Sequence, residues 1–230
     1  MPAARRADMA DEMRIQVMNG GPYVVSGGVP LKEMAPVQTL NGENVDWHVL
    51  REIDESRDLY ALCRCGRSND KPYCDGSHAT SEWPEAETAD RRPMADRASR
   101  IEGAAGVMLD DESVCIGAGF CGTKTTNAWD LIDEEGDEAR ERVTAMVGRC
   151  PTGRLAIIPA GEEGLIEPAL GAEIAVVPGG PLWVRGGVNV ESADGTPWEV
   201  QNRRTLCRCG ASNNKPFCDG AHSDLHFDER

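Results

Sequence analysis

Nine cysteines and two of the four histidines in this chain fall into three sets whose spacing suits metal ligation. Cys63, Cys65, Cys74 and His78 read C-x-C-x8-C-x3-H, and Cys207, Cys209, Cys218 and His222 repeat it gap for gap. Cys115, Cys121 and Cys150 read C-x5-C with a later Cys-Pro. Alternate side chains of an extended segment share a face, so the two thiolates of C-x-C can grip one metal ion. A cysteine and a histidine four residues apart suit one helical turn. Between them, Asp75-Gly76 and Asp219-Gly220 offer a capping carboxylate and a residue that leaves room beside the metal. Lys71-Pro72 and Lys215-Pro216 tighten the loop and bring an ammonium near the site, so Lys71 and Lys215 are read as cofactor-binding. On spacing alone both zinc and iron–sulfur are open, although structural zinc sites usually separate their first cysteine pair by two to four residues. The central three admit a further reading, as buried free cysteines packing like small hydrophobes.

The elements around these residues repeat as well. Ile15 to Leu31 reads IQVMNGGPYVVSGGVPL and Ile174 to Val190 reads IAVVPGGPLWVRGGVNV, short strands punctuated by glycine turns. Trp83 and Phe227 each lie five residues past the histidine. The first copy carries extra residues before its cysteines, read as a longer loop around Asn41 to Asp58. Pro84 to Arg100 reads as a linker. Ala139, Val143, Met146 and Val147 recur with helical period and predict an amphipathic helix ending just before Cys150. The acidic residues Asp133, Glu134, Glu135, Asp137 and Glu138 at its start suit the helix dipole, a reading preferred to a docking patch. Arg154 to Ile158 reads as a buried strand. His48 and His226 stand outside the repeated spacing and are read as surface or packing residues, and the five tryptophans as core filling. The Gly-Gly-Pro turns lack the Lys-Ser/Thr of a phosphate loop.

Leu62 to His78 reads LCRCGRSNDKPYCDGSH and Leu206 to His222 reads LCRCGASNNKPFCDGAH. Both resemble the CDGSH iron–sulfur domain, the family of mitoNEET, through the ligand motif, the Gly-Pro strand upstream and the aromatic downstream. The second copy departs in Ala221, which is not a ligand position. The resemblance implies a [2Fe–2S] cluster in each copy, with Cys63 and Cys65 on the inner iron and Cys74 and His78 on the outer. Cys207, Cys209, Cys218 and His222 repeat that arrangement. A neutral imidazole in place of a thiolate raises the reduction potential and couples the site to protons. Single-motif members of the family pair into dimers, so two motifs in one chain imply an intrachain pseudo-twofold pair.

Asp111 to Cys121 reads DESVCIGAGFC and Arg149 to Gly153 reads RCPTG. This resembles a divergent single-cluster ferredoxin, a cubane pattern of C-x2-C-x2-C with a remote Cys-Pro. Cys115, Cys121 and Cys150 then match the first, third and remote ligands, and the second falls on Ala118. Three thiolates imply a [3Fe–4S] cluster, or a [4Fe–4S] cluster with one open iron. Gly117 stands where some divergent relatives place a histidine.

The 24 basic and 39 acidic side chains give a net charge of −15, which argues against a nucleic-acid surface. No apolar run is long enough for a membrane span. Met1 to Met13 lacks the apolar stretch of a signal peptide, which points to a cytoplasmic protein and, with the odd cysteine count, away from a disulfide framework. Gly 25 and Pro 14 favour turns over long helices. The expected fold class is α+β, with two small strand-rich CDGSH modules at 1–88 and 173–230 and a ferredoxin-like module at 89–172. The expected function is electron transfer between redox partner proteins. A cluster carrier serving apo-acceptors is the alternative, and an enzyme is not expected. Both a monomer with a paired repeat and a homodimer fit.

Overall fold

The computed structural model describes residues 13–54 and 57–227. The segment read as lacking a signal lies, apart from Met13, outside them. In chain order the strands are β1 Arg14–Val17, β2 Tyr23–Ser26, β3 Leu31–Gln38, β4 Asn44–Asp54, β5 Leu59–Leu62, β6 Ser99–Gly103, β7 Gly106–Asp110, β8 Leu155–Pro159, β9 Glu173–Val176, β10 Leu182–Arg185, β11 Asn189–Glu191 and β12 Arg203–Leu206. The α-helices are α1 Met94–Arg97, α2 Ala128–Leu131, α3 Asp137–Arg149 and α4 Ala221–Asp224. Strand-rich modules with few helices make this an α+β protein. Among the described residues, no helix is long and apolar enough to cross a membrane.

Two compact units form. The first takes the described residues up to Ala35, then Val49–Arg91, then those from Leu170 onward. Its two sheets are ordered β11-β1-β2-β5 and β12-β10-β9-β3-β4. Each copy of the repeat builds an antiparallel triplet, β1-β2-β5 or β9-β10-β12, and sends its next strand across to the other copy. β11 pairs in parallel with β1 (Ile15 opposite Val190), and β3 pairs in parallel with β9 (Leu31 opposite Ile174). The expected pseudo-twofold pair is therefore made by strand exchange within one chain. The copies differ in burial. β1 and β2 alternate, with Ile15, Val17, Tyr23 and Val25 inward, whereas all four residues of β12 are buried.

The second unit comprises Pro36–His48 and Arg92–Ala169. β6, β7 and β8 form an antiparallel sheet. Ala139, Val143, Met146 and Val147 are the buried residues of α3, the stripe expected from their spacing, and they pack with Met108, Leu131, Leu155 and Ile157. Asp137 and Glu138 occupy the first turn of α3 and Arg149 the last, each suiting the helix dipole. Pro151, which has no N–H to offer, follows the helix.

Three expectations need correction. The loop read around Asn41 to Asp58 is largely the strand β4, where Val45, Trp47 and Val49 alternate with polar residues. The linker read over Pro84 to Arg100 contains α1 and the start of β6. Of the tryptophans, Trp183 and Trp198 are buried, but Trp47, Trp83 and Trp129 are only half-buried and serve as ring contacts.

Candidate metal centres

The two flanking ligand loops adopt one conformation. In each, a backbone N–H at the first cysteine donates to the loop proline (Cys63 to Pro72 O and Cys207 to Pro216 O, both 2.8 Å). Ser68 and Ser212 hydroxyls donate across the loop to Tyr73 O and Phe217 O, at 2.6 and 2.7 Å. Asp75 accepts from Asn69 N and from Ser77 N, and Asp219 accepts from Asn213 N and Ala221 N. The Lys71–Pro72 and Lys215–Pro216 peptides are both cis.

The donors stand in pairs. Cys63 and Cys65 sulfurs are 3.9 Å apart and Cys207 and Cys209 sulfurs 3.8 Å; two thiolates on one tetrahedral metal are expected about 3.8 Å apart when each metal–sulfur bond is ~2.3 Å. Cys74 Sγ lies 3.3 Å from His78 Nδ1, and Cys218 Sγ 3.3 Å from His222 Nδ1. The route to the second pair differs from the helical turn expected. Gly76 and Gly220, at φ +88° and +92°, intervene, and the histidine sits in the short turn that begins after them (Ser77–Thr80 or Ala221–Asp224). Among the described residues, no three His, Cys, Asp or Glu side chains gather closely enough to hold a single ion. His48 and His226 are exposed.

Sequence reasoning missed the arginine between each cysteine pair. Arg64 and Arg208 are each 1 % exposed. Arg64 donates to Met18 O and Glu85 O, and Arg208 to Gly180 O and Val177 O, tying each ligand loop to its own first strand turn. Trp83 lies 4.9 Å from the Arg64 guanidinium and Phe227 5.2 Å from that of Arg208. The aromatic five residues past the histidine thus covers this arginine, and that repeated spacing was the signal available. Arg64 Nε is buried without a hydrogen-bond partner. Lys215, 1 % exposed, donates from Nζ to Ser212 O, and Lys71 does the same to Ser68 O at 2.6 Å. After the Cys65 and Cys209 hydrogen bonds, the Lys71 and Lys215 charges are among the groups that hold the Cys63 and Cys207 thiols down, so both loops fit an anionic group held by these thiolates.

The thiols are polarised accordingly. Cys63 is held down to about 6, first by its hydrogen bond with Cys65 and then by the Ser68 and Gly66 N–H groups, against burial. Cys207 is likewise at about 6 through Cys209. Their partners Cys65 and Cys209 are pushed up by the same bonds and by burial. Burial also raises Cys74, lifts Cys218 to about 12 and lowers His222.

The two loops meet back to back. A Cβ on Gly66 would stand 2.7 Å from the Cys209 carbonyl carbon, and one on Gly210 would stand 2.8 Å from that of Cys65. Tyr23 of the first copy donates its hydroxyl to Cys207 O (2.8 Å) and Pro216 O (3.0 Å) of the second.

In the central unit Cys115 follows the short turn Glu112–Val114, Cys150 ends α3, and Cys121 precedes α2. All three line one pocket of roughly 40 Å³ with Ile116, Ala118, Phe120 and Arg154. Burial, then the neighbouring Cys150, raises the Cys121 thiol. The Arg154 guanidinium grips Asp110 at 2.6 and 3.0 Å and lies 5.3 Å from Trp129, whose Nε1 also donates to Asp110. The tip of the β3–β4 excursion clamps the cysteine loop. Asn44 donates to Ala118 O (2.7 Å), Trp47 stacks on Phe120 (4.9 Å between centroids), and Trp47 Nε1 donates to Arg149 O (3.0 Å). The available signal for this strand is the alternation of Val45, Trp47 and Val49, which the loop reading passed over.

With this geometry in view, comparison with known families is informative. The family described as iron-binding zinc finger, CDGSH type, matches residues 20–79 and 179–223, and that described as divergent 4Fe-4S mono-cluster matches 101–160. Searches of curated proteins and of solved structures return no match. Paired cysteine and histidine donors on small strand-rich modules, together with these matches, define an iron–sulfur protein. Two segments of the chain match the CDGSH family, and they flank a third that matches the divergent single-cluster ferredoxin family.

Proposed function

We propose that this is a cytoplasmic electron-transfer protein rather than an enzyme, with two [2Fe–2S] clusters and one [3Fe–4S] cluster (or a [4Fe–4S] cluster with one open iron). Cys63 with Cys65 and Cys74 with His78 hold the two irons of the first binuclear cluster, and Cys207 with Cys209 and Cys218 with His222 those of the second. Cys115, Cys121 and Cys150 hold the central cluster. Such clusters supply one-electron transfer at potentials set by ligand type, hydrogen bonds to sulfur and exposure. The observation that carries the reading is the division of each flanking donor set into two close pairs, one for each metal of a binuclear centre.

The chain's own residues supply the rest. Lys71 and Lys215 hold positive charge near the Cys63 and Cys207 thiolates, which favours the more reduced, more negative state of what they bind. Asp75 and Asp219 fix the Asp-Gly turn that brings histidine to cysteine. Ala118 offers no donor atom, so the central cavity keeps one coordination position without a protein ligand. A second reading, a carrier that hands clusters to apo-acceptors, is favoured by the half-buried Cys74 and His78.

Anaerobic purification with iron, sulfide and zinc analysis tests the ligation: about seven irons per chain are expected for two binuclear clusters and one trinuclear cluster. Colourless protein holding zinc would overturn it. Reversible redox titration without metal loss supports electron transfer, whereas cluster appearance in an apo-ferredoxin mixed with the protein supports the carrier.

A further inference from the structure

The two CDGSH loops share a conformation but not a setting. Cys218 is 1 % exposed and Phe217 3 %, while their counterparts Cys74 and Tyr73 are half-buried. Lys215 is buried where Lys71 is half-buried, and Asp75 and Gly76 are exposed where Asp219 and Gly220 are half-buried.

The difference has an identifiable source, the segment that follows the first motif. After Glu85 O accepts from Arg64, the chain runs onto the second loop. Thr88 N and Ala89 N both donate to Lys215 O, at 2.8 and 2.9 Å. Thr88 Oγ1 donates to Asn213 O at 2.6 Å and accepts from Lys215 N at 3.1 Å. Glu87 accepts from Ser192 Oγ (2.6 Å) and Ala193 N (2.9 Å), fastening the segment to the turn after β11. Arg91 lies 4.1 Å from the Trp198 ring, which packs edge-on against Phe217 at 4.9 Å. Residues 87–91 therefore form a strap across the loop that carries Cys218. In the chain the strap follows the first motif.

We infer that the two flanking centres are functionally inequivalent: the one at Cys74 and His78 is the exchange site, where chelators or the thiolates of an acceptor protein reach the metal, and the one at Cys218 and His222 is retained, locked by the 87–91 strap. The inference rests on the iron–sulfur ligation proposed above. Exchange requires an incoming donor to approach the metal as a protein ligand leaves. Burial of Cys218 and Phe217, and the backbone bonds from Thr88 and Ala89, oppose both movements at the second loop. Transfer of the intact cluster to an acceptor's thiolates changes no oxidation state; in the oxidised cluster a chelator takes the two irons as ferric complexes and the sulfides leave protonated as hydrogen sulfide, so no electrons need be supplied.

The test uses full-length Cys74→Ala and Cys218→Ala variants, purified anaerobically with their clusters oxidised and exposed at neutral pH to a ferric chelator, with iron release followed by absorbance. The central centre contributes alike to both. Release from the second flanking centre, read in Cys74→Ala, is expected at least tenfold slower than release from the first, read in Cys218→Ala. In the wild type, Glu87→Ala with Thr88→Ala should accelerate the slow phase alone. Equal rates in iron-loaded variants, or a strap variant that leaves the slow phase unchanged, overturn the inference. If neither variant differs from wild type in iron content, the ligation reading itself fails. Should a single-site variant fail to fold, the wild-type and strap-variant time courses decide alone: one uniform flanking phase refutes the inequivalence.

Discussion

The back-to-back contact of the two ligand loops makes Gly66→Ala a test with a built-in control. Gly66 sits at φ +78°, where a residue with a Cβ costs ~1–2 kcal/mol. Its new methyl would lie 2.7 Å from the Cys209 carbonyl carbon and 3.0 Å from its Cα, backbone that cannot swing aside like a side chain. Overpacking of this kind adds ~1–3 kcal/mol, for a total of roughly 2–5 kcal/mol. Gly76 lies at φ +88° in the same loop, nearer the histidine, yet a Cβ there meets nothing within 4 Å. Gly76→Ala should therefore carry the conformational cost alone, about 1–2 kcal/mol. The informative readout is the second centre. Because the clash falls on Cys209, Gly66→Ala should lower metal occupancy at Cys207, Cys209, Cys218 and His222 as well as at its own site, whereas Gly76→Ala should affect only the first. Iron per chain, measured for each variant in a Cys74→Ala background that reports the second centre, separates the cases. Equal stability and equal second-site occupancy in the two alanine variants would falsify the inter-loop packing.

Two further outcomes follow from cross-connections. Tyr23→Phe removes the hydroxyl shared by Cys207 O and Pro216 O and should cost about 1 kcal/mol, with faster metal release from the second centre and not the first; chelator kinetics check this, and a change confined to the first centre refutes it. Arg154→Met leaves the Asp110 carboxylate, 6 % exposed, facing the Trp129 N–H alone and should destabilise the central unit by roughly 3–5 kcal/mol in urea unfolding, with Asp110→Asn added to it recovering part of the loss.

The pairing of Cys63 with Cys65 and of Cys74 with His78 was legible because it follows a hard spacing: one residue between two cysteines on extended chain, three between cysteine and histidine. The α3 stripe was legible for the same reason, since helical period and burial coincide at Ala139, Val143, Met146 and Val147. What escaped the sequence lies in contacts between distant segments. Arg64 reads as an ordinary charged residue until Trp83 and the Met18 carbonyl are seen around it. Residues 87–91 have the composition of a linker, and only their hydrogen bonds to Lys215 and Asn213 make them a strap. β4 reads as loop because it is an insertion that the second copy lacks, and Trp47 finds its partner Phe120 seventy-odd positions away.

Strand exchange also fixes an order of assembly. The parallel neighbour of β1 is β11, so the head of the chain cannot complete its sheet until Asn189–Glu191 has been synthesised. Until then β1 presents an open edge, the kind of surface that invites pairing with another chain. The central unit closes from residues that have all emerged by Ala169. A nascent chain held at that point therefore has its first four donors in sequence, yet lacks both the strand beside β1 and the Cys209 backbone that Gly66 abuts. The first ligand loop therefore reaches its final packing only once the second copy of the repeat has been made.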